Sequence, residues 1–235
     1  MNLTISGPVG APPLVLSNEL GTTAALWDPQ LEELERRLTV VRYEHALHGS
    51  VAELAEPLLD ALARIGMERV SFCGLSLGAM VGMWIAAERP ERIDRLVLAC
   101  TSARFGAQSQ WAARAAFVRA HGIERVARDA LDKWFTPAYA DRQPFLDMQL
   151  AFAPEEYVLG LQAIGGFDFR ARLGEIQAPT LVIAGADDTA TTPEDAAALV
   201  DGIPDSRLVT LDHAAHLANV QAPRAFTLAV LEHLW

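Results

Sequence analysis

The sequence predicts an α/β fold: a mostly parallel sheet, wound on both faces by helices and interrupted by an inserted helical segment. Three observations carry that expectation. Short apolar runs alternate with helix-like stretches as far as Ala99. The alternation then stops for roughly seventy residues that hold no strand-like run, too long for a simple loop. It resumes after Glu175. Residues 1–103 and 176–235 are therefore read as the core and residues 104–175 as a cap.

The elements follow in order. Leu3–Ser6 offers one short strand before a Gly- and Pro-rich turn. Leu14-Val15-Leu16 is a compact apolar strand that runs into the turn formers Ser17-Asn18-Glu19-Leu20-Gly21-Thr22-Thr23. A helix is expected over about 24–38, a strand over 39–43 and a turn at His48-Gly49-Ser50. Val51, Leu54, Leu58, Leu62 and Ile65 share one face of the next helix. Residues 69–73 read as a buried strand, 77–89 as a helix apolar on nearly every face, and 95–99 as another buried strand. In the insertion, helical stretches at 107–120, 123–134, about 141–151 and 155–164 are punctuated by Pro137, Pro144 and Pro154. Strand, helix, strand and helix are then expected at 180–184, 193–200, 207–211 and 219–234.

Composition narrows the function. With 235 residues and 51% hydrophobic content, the chain fills one ordinary core. A net charge of −11 without basic runs argues against nucleic acid and anionic membranes as partners. The first ten residues are polar and rich in Gly and Pro, and no apolar run reaches membrane length, so neither leader nor span is expected. Cys73 and Cys100 fall at or near the ends of apolar strands, which fits buried free thiols in a reducing cytoplasm. A homo-oligomer is left open.

The chemistry centres on Gly74-Leu75-Ser76-Leu77-Gly78, a G-x-S-x-G pentapeptide between a strand and a buried helix. A strand turning sharply into a helix strains its turn residue, and glycines two before and two after let the arms pass. The serine hydroxyl is then held proud of the sheet, beside the free N–H groups of a helix N-terminus. Two polar clusters follow later strands, Gly185-Ala186-Asp187-Asp188 and Asp212-His213-Ala214-Ala215-His216. The order Ser, Asp, His suits a nucleophile whose proton is taken by an imidazole that a carboxylate orients. His216 is preferred to His213, which reads as a turn residue, because it lies deeper in the loop. The oxyanion donors are expected to be the N–H groups of Leu77 and of Leu20, with Glu19 as the alternative to Leu20. His45 and His48 are spaced i, i+3 without a visible third ligand, so no metal is expected, and nothing calls for a cofactor.

Several phrases carry a family resemblance: LVLSNELGTTAALWDPQ, FCGLSLGAMVGMWIAAERPERIDRLVLACTSAR, KWFTPAY, and LVIAGADDTATTPEDAAAL followed by DHAAHLANVQAP. They resemble the α/β-hydrolases and, within them, the 3-oxoadipate enol-lactonases. The resemblance implies the α/β-hydrolase fold, a mostly parallel doubly wound sheet with an inserted helical cap. It implies a serine hydrolase of a small-molecule ester or lactone, with Ser76, Asp188 and His216 as the triad. Asp188 is chosen over Asp187 by the G-x-x-D spacing usual at this strand end. Where most relatives carry His-Gly, this chain has Asn18-Glu19; where the second strand usually leads into D-x-R-G-H-G-x-S, it has EHALHGS; and Ala79 replaces a common glycine. An enol-lactone of this kind carries carboxylates and calls for a cation, for which Arg104 and Arg42 are candidates. Trp134 and Trp111 are candidates for the pocket wall, and Trp27 is assigned to the core. Another esterase or lactonase, a cofactor-free perhydrolase or haloperoxidase, and a non-catalytic binding protein are the competing readings.

Overall fold

The computed structural model describes residues 1–235. Seven strands form one sheet: β1 (Leu3–Ser6), β2 (Pro13–Ser17), β3 (Thr39–Tyr43), β4 (Val70–Leu75), β5 (Ile93–Ala99), β6 (Thr180–Gly185) and β7 (Ser206–Leu211). Their spatial order is β1-β3-β2-β4-β5-β6-β7, and only the β1–β3 pair is antiparallel. The chain thus runs outward from β2 to β3, then jumps back to place β4 on the other side of β2. Loops leaving β2 and β4 diverge at that reversal, opening a crevice above the carboxyl ends of the strands.

Side chains alternate between two cores, one on each face. Val15, Val41, Phe72, Leu96, Leu98 and Val182 pack with α2 (Val51–Arg64) and α3 (Leu77–Glu88). Leu14, Leu16, Leu75, Val97, Leu181 and Ile183 pack on the other face with α1 (Asp28–Leu34) and α10 (Pro223–Leu234). Helix α3 is apolar all round because it is enclosed all round: Leu77 to Met83 are buried without exception. Helix α2 starts where Ser50 accepts the Glu53 amide. Helix α8 (Pro193–Gly202) starts with a reciprocal cap, in which the Thr192 amide donates to Asp195.

Between β5 and β6 lie α4 (Gln108–His121), α5 (Glu124–Trp134), α6 (Gln143–Leu150) and α7 (Pro154–Gly166), with no strand among them. Two expected helices differ from their sequence reading. Residues 24–38 divide into a 3₁₀ turn at Ala24–Trp27 and then α1, because the Pro29 ring excludes a continuous helix through the preceding turn. The last helix divides into α9 (Ala218–Gln221) and α10 at Pro223, which drives Ala222 out of helical geometry. No helix is long and apolar enough to cross a membrane. Both cysteines are buried and unpaired, and burial pushes their thiol pKa values up.

Candidate active site

Ser76 sits at the sharp turn from β4 into α3, with φ 52° and ψ −110°. A non-glycine residue there is strained by about 1–3 kcal/mol and persists only if its surroundings fix it. They do: the Ser76 amide donates to Ala99 O at 2.9 Å, and its carbonyl accepts from Met80 N at 3.1 Å and Thr101 Oγ1 at 3.1 Å. The flanking glycines have steric reasons. A Cβ on Gly78 would lie 2.1 Å from Ser17 O, and one on Gly74 would lie 2.3 Å from Gly78 O. Gly78→Ala is accordingly expected to lower stability by at least about 2 kcal/mol in urea denaturation, since backbone must move to admit the methyl.

The loop after β6 supplies Asp188 and the loop after β7 supplies His216, both nearly inaccessible to solvent. His216 Nδ1 lies 2.8 Å from Asp188 Oδ2. Thr191 Oγ1 donates to the same oxygen at 2.9 Å and sits 3.2 Å from Nδ1. Asp188 Oδ1 accepts the amides of Ala190 at 2.8 Å and Thr191 at 3.1 Å. Burial alone would raise the pKa of this carboxyl, but the His216 charge and these donors together hold it below the usual carboxylate range. Asp187 points to solvent, as does His213, which takes a left-handed turn position with φ 58°. The His216 loop is pinned from three sides: Leu217 N donates to Trp134 O, Ala215 N to Gln221 Oε1, and Asn219 Nδ2 to Leu26 O, all at 2.9–3.0 Å.

Ser76 Oγ is buried and makes no hydrogen bond in the free protein. The Leu77 amide opens α3, where an N–H has no partner within the helix. Leu20 lies in the facing loop after β2, which is closed by Thr22 N and Oγ1 donating to Glu19 O and by Asn18 Nδ2 donating to Thr22 O. Its side chain presses on α7 at Gly160, where an added Cβ would lie 2.3 Å from Leu20 Cδ1 and the leucine would have to turn aside. His45 donates to Asn18 O, yet its burial outweighs that bond and pulls its pKa down to about 4, while His48 is exposed.

A cavity of about 350 Å³ opens between this floor and the helices above, with His216, Glu19 and Leu20 at its base. Trp134 and Trp111 line it, together with Phe105, Tyr157, Arg114 and Lys133. Trp27 lies in the core against Phe226. Arg104, expected beside the substrate, is not on the wall; it turns away to Asp168, 3.6 Å distant. Arg42 pairs with Asp28 at 2.8 Å, also outside the cavity. The cations that do reach it are Arg114 on α4 and Lys133 on α5, neither of which belongs to a motif of the sequence. The available signal was the i, i+3 spacing of Trp111 and Arg114, which puts both on one helix face.

The family model described as the alpha/beta hydrolase family matches residues 14–229. The chain belongs to that family. It is 32% identical to 3-oxoadipate enol-lactonase 2 of Acinetobacter baylyi, an alignment covering 98% of this chain and 91% of the relative. Among solved structures, a hydrolase from Pseudomonas aeruginosa superposes with a TM-score of 0.94 at 40% identity, over 99% of this chain and 93% of that one. The enol-lactonase from Burkholderia xenovorans does so with a TM-score of 0.93 at 33% identity, over 99% and 95%. The resemblance read from the sequence and the α/β-hydrolase fold it implied are both borne out.

Proposed function

We propose that the protein is a serine hydrolase that cleaves a small ester or lactone bearing a carboxylate, with an enol-lactone as the first substrate to try. The observation that carries this reading is the 2.8 Å bond between His216 Nδ1 and Asp188, behind a serine held on the strained turn. His216 Nε2 takes the proton of Ser76 as Oγ attacks the carbonyl, and the Leu20 and Leu77 amides receive the oxyanion. Collapse expels the alcohol or enol, which His216 protonates. Water, deprotonated by the same imidazole, then releases the acid and restores Ser76. Buried free thiols fit a cytoplasmic setting.

The substrate's carboxylate is assigned to Arg114, whose Nε is buried without a hydrogen-bond partner, with Lys133 at the exposed rim of the same cavity. The 3-oxoadipate enol-lactonase relative supports a substrate of this class. A panel of carboxylated enol-lactones, neutral lactones and neutral aryl esters tests the reading, which requires kcat/KM to be highest for the carboxylated members. Equal turnover of neutral and carboxylated lactones would move the assignment to a general esterase. Arg114→Ala is expected to raise KM for a carboxylated lactone roughly 10- to 100-fold, the value of a charge-assisted hydrogen bond. Its effect on a neutral ester should be within about two-fold.

A further inference from the structure

The one charged group near His216 with no part in this mechanism is Glu19. Its side chain is buried, and Oε2 makes no hydrogen bond. That oxygen lies 3.8 Å from His216 Nε2, on the opposite side of the ring from Asp188. The backbone bonds that close the Ser17–Thr23 turn hold the Glu19 carbonyl in place, so the carboxylate is presented to the cavity by a fixed loop.

We propose that Glu19 is a positioning residue, a second carboxylate that holds His216 as an imidazolium in the free enzyme and so sets the pH at which Ser76 is activated. The proposal rests on the reading of Ser76 and His216 as nucleophile and base. With Asp188 at Nδ1 and Glu19 facing Nε2, both ring nitrogens retain their protons. Nε2 must lose its proton to solvent before it can take one from Ser76.

The surrounding groups are few. The carboxyl groups of Asp188 and Glu19 face the ring. The Cys100 thiol lies near both carboxylates, and burial keeps it a neutral thiol. Tyr157 lies within the field of Glu19 and stays neutral, because burial pushes its phenol up to about 12. His45, also in that field, stays uncharged because burial pulls its pKa down. Arg114 and Lys133 line the cavity and oppose the effect. Burial of His216 pulls its pKa down, but Asp188 and then Glu19 outweigh this and carry it up. A raised pKa confines the neutral base to higher pH, so the ascending limb of the activity profile should lie above neutrality. Replacing Glu19 by a neutral amide removes one of the two anions and should move that limb to lower pH.

The test is the pH dependence of the second-order rate of fluorophosphonate labelling of Ser76, which reads activation of the nucleophile without a natural substrate. In Glu19→Gln the limb is expected roughly one to three pH units below wild type. Glu19→Asp, which keeps the charge, should stay within about one unit of wild type. Direct titration of the His216 ring by NMR in wild type and Glu19→Asp covers the case in which Glu19→Gln does not fold. A His216 pKa at or below that of a free histidine in wild type would overturn the proposal. Coincident limbs in wild type and Glu19→Gln, with Ser76 labelled in both, would overturn the Glu19 role alone. Absence of labelling in wild type would instead remove the nucleophile assignment, and the Glu19 role with it.

Discussion

Ser76→Ala is expected to remove ester cleavage and to leave the fold standing. The expected loss in kcat is roughly 10⁴- to 10⁶-fold, because in the proposed mechanism Ser76 carries the acyl group, and without it only binding and the oxyanion donors remain. The thermal midpoint should be unchanged or slightly higher. Alanine tolerates the left-handed turn about as poorly as serine, so the strain at φ 52° is retained. The variant also deletes a buried hydroxyl oxygen that has no hydrogen-bond partner in the free protein. Kinetics with a neutral aryl ester and thermal denaturation by circular dichroism check both halves. Loss of stability together with loss of activity would mean that Ser76 is structural.

The second large effect separates two adjacent aspartates. Asp188→Asn is expected to lower kcat about 10³- to 10⁴-fold, whereas Asp187→Asn should stay within about two-fold of wild type. Asp188 receives two backbone amides, the Thr191 hydroxyl and the His216 ring, a set of donors that only a full acceptor satisfies. An amide at that position must turn one donor against another and leaves the imidazole free to take the wrong tautomer. Asp187 is solvent-exposed, with its backbone amide bonded to Ala214 O. The comparison needs only steady-state rates of the two variants, and equal losses in both would place the carboxylate elsewhere.

What could be read from the sequence follows how locally each feature is encoded. Ser76 is marked by its own neighbours, since the strand-turn-helix sequence and the paired glycines are one short constraint. Asp188 and His216 stand at strand ends, so parallel strands bring them to one edge whatever the rest of the chain does. The two misplaced helix boundaries, at Pro29 and Pro223, are also local and were legible in principle. The pocket wall is different. Arg104 follows a strand end closely and still turns away, because Asp168, sixty-four positions later by number, offers it an ion pair. Arg114 and Lys133 reach the cavity through the packing of α4 on α7 and of α5 on α6, an arrangement that no motif announces. Glu19 lies within the SNELGTT turn, yet its approach to His216 depends on a residue from the far end of the chain.

One measurement bears most directly on the central claim: intact mass after incubation with a fluorophosphonate, on wild type and Ser76→Ala, with the adduct mapped by peptide digestion. The account requires one adduct on wild type, located at Ser76, and none on the variant. No adduct on wild type across the pH range, or an adduct that persists in Ser76→Ala, would contradict it.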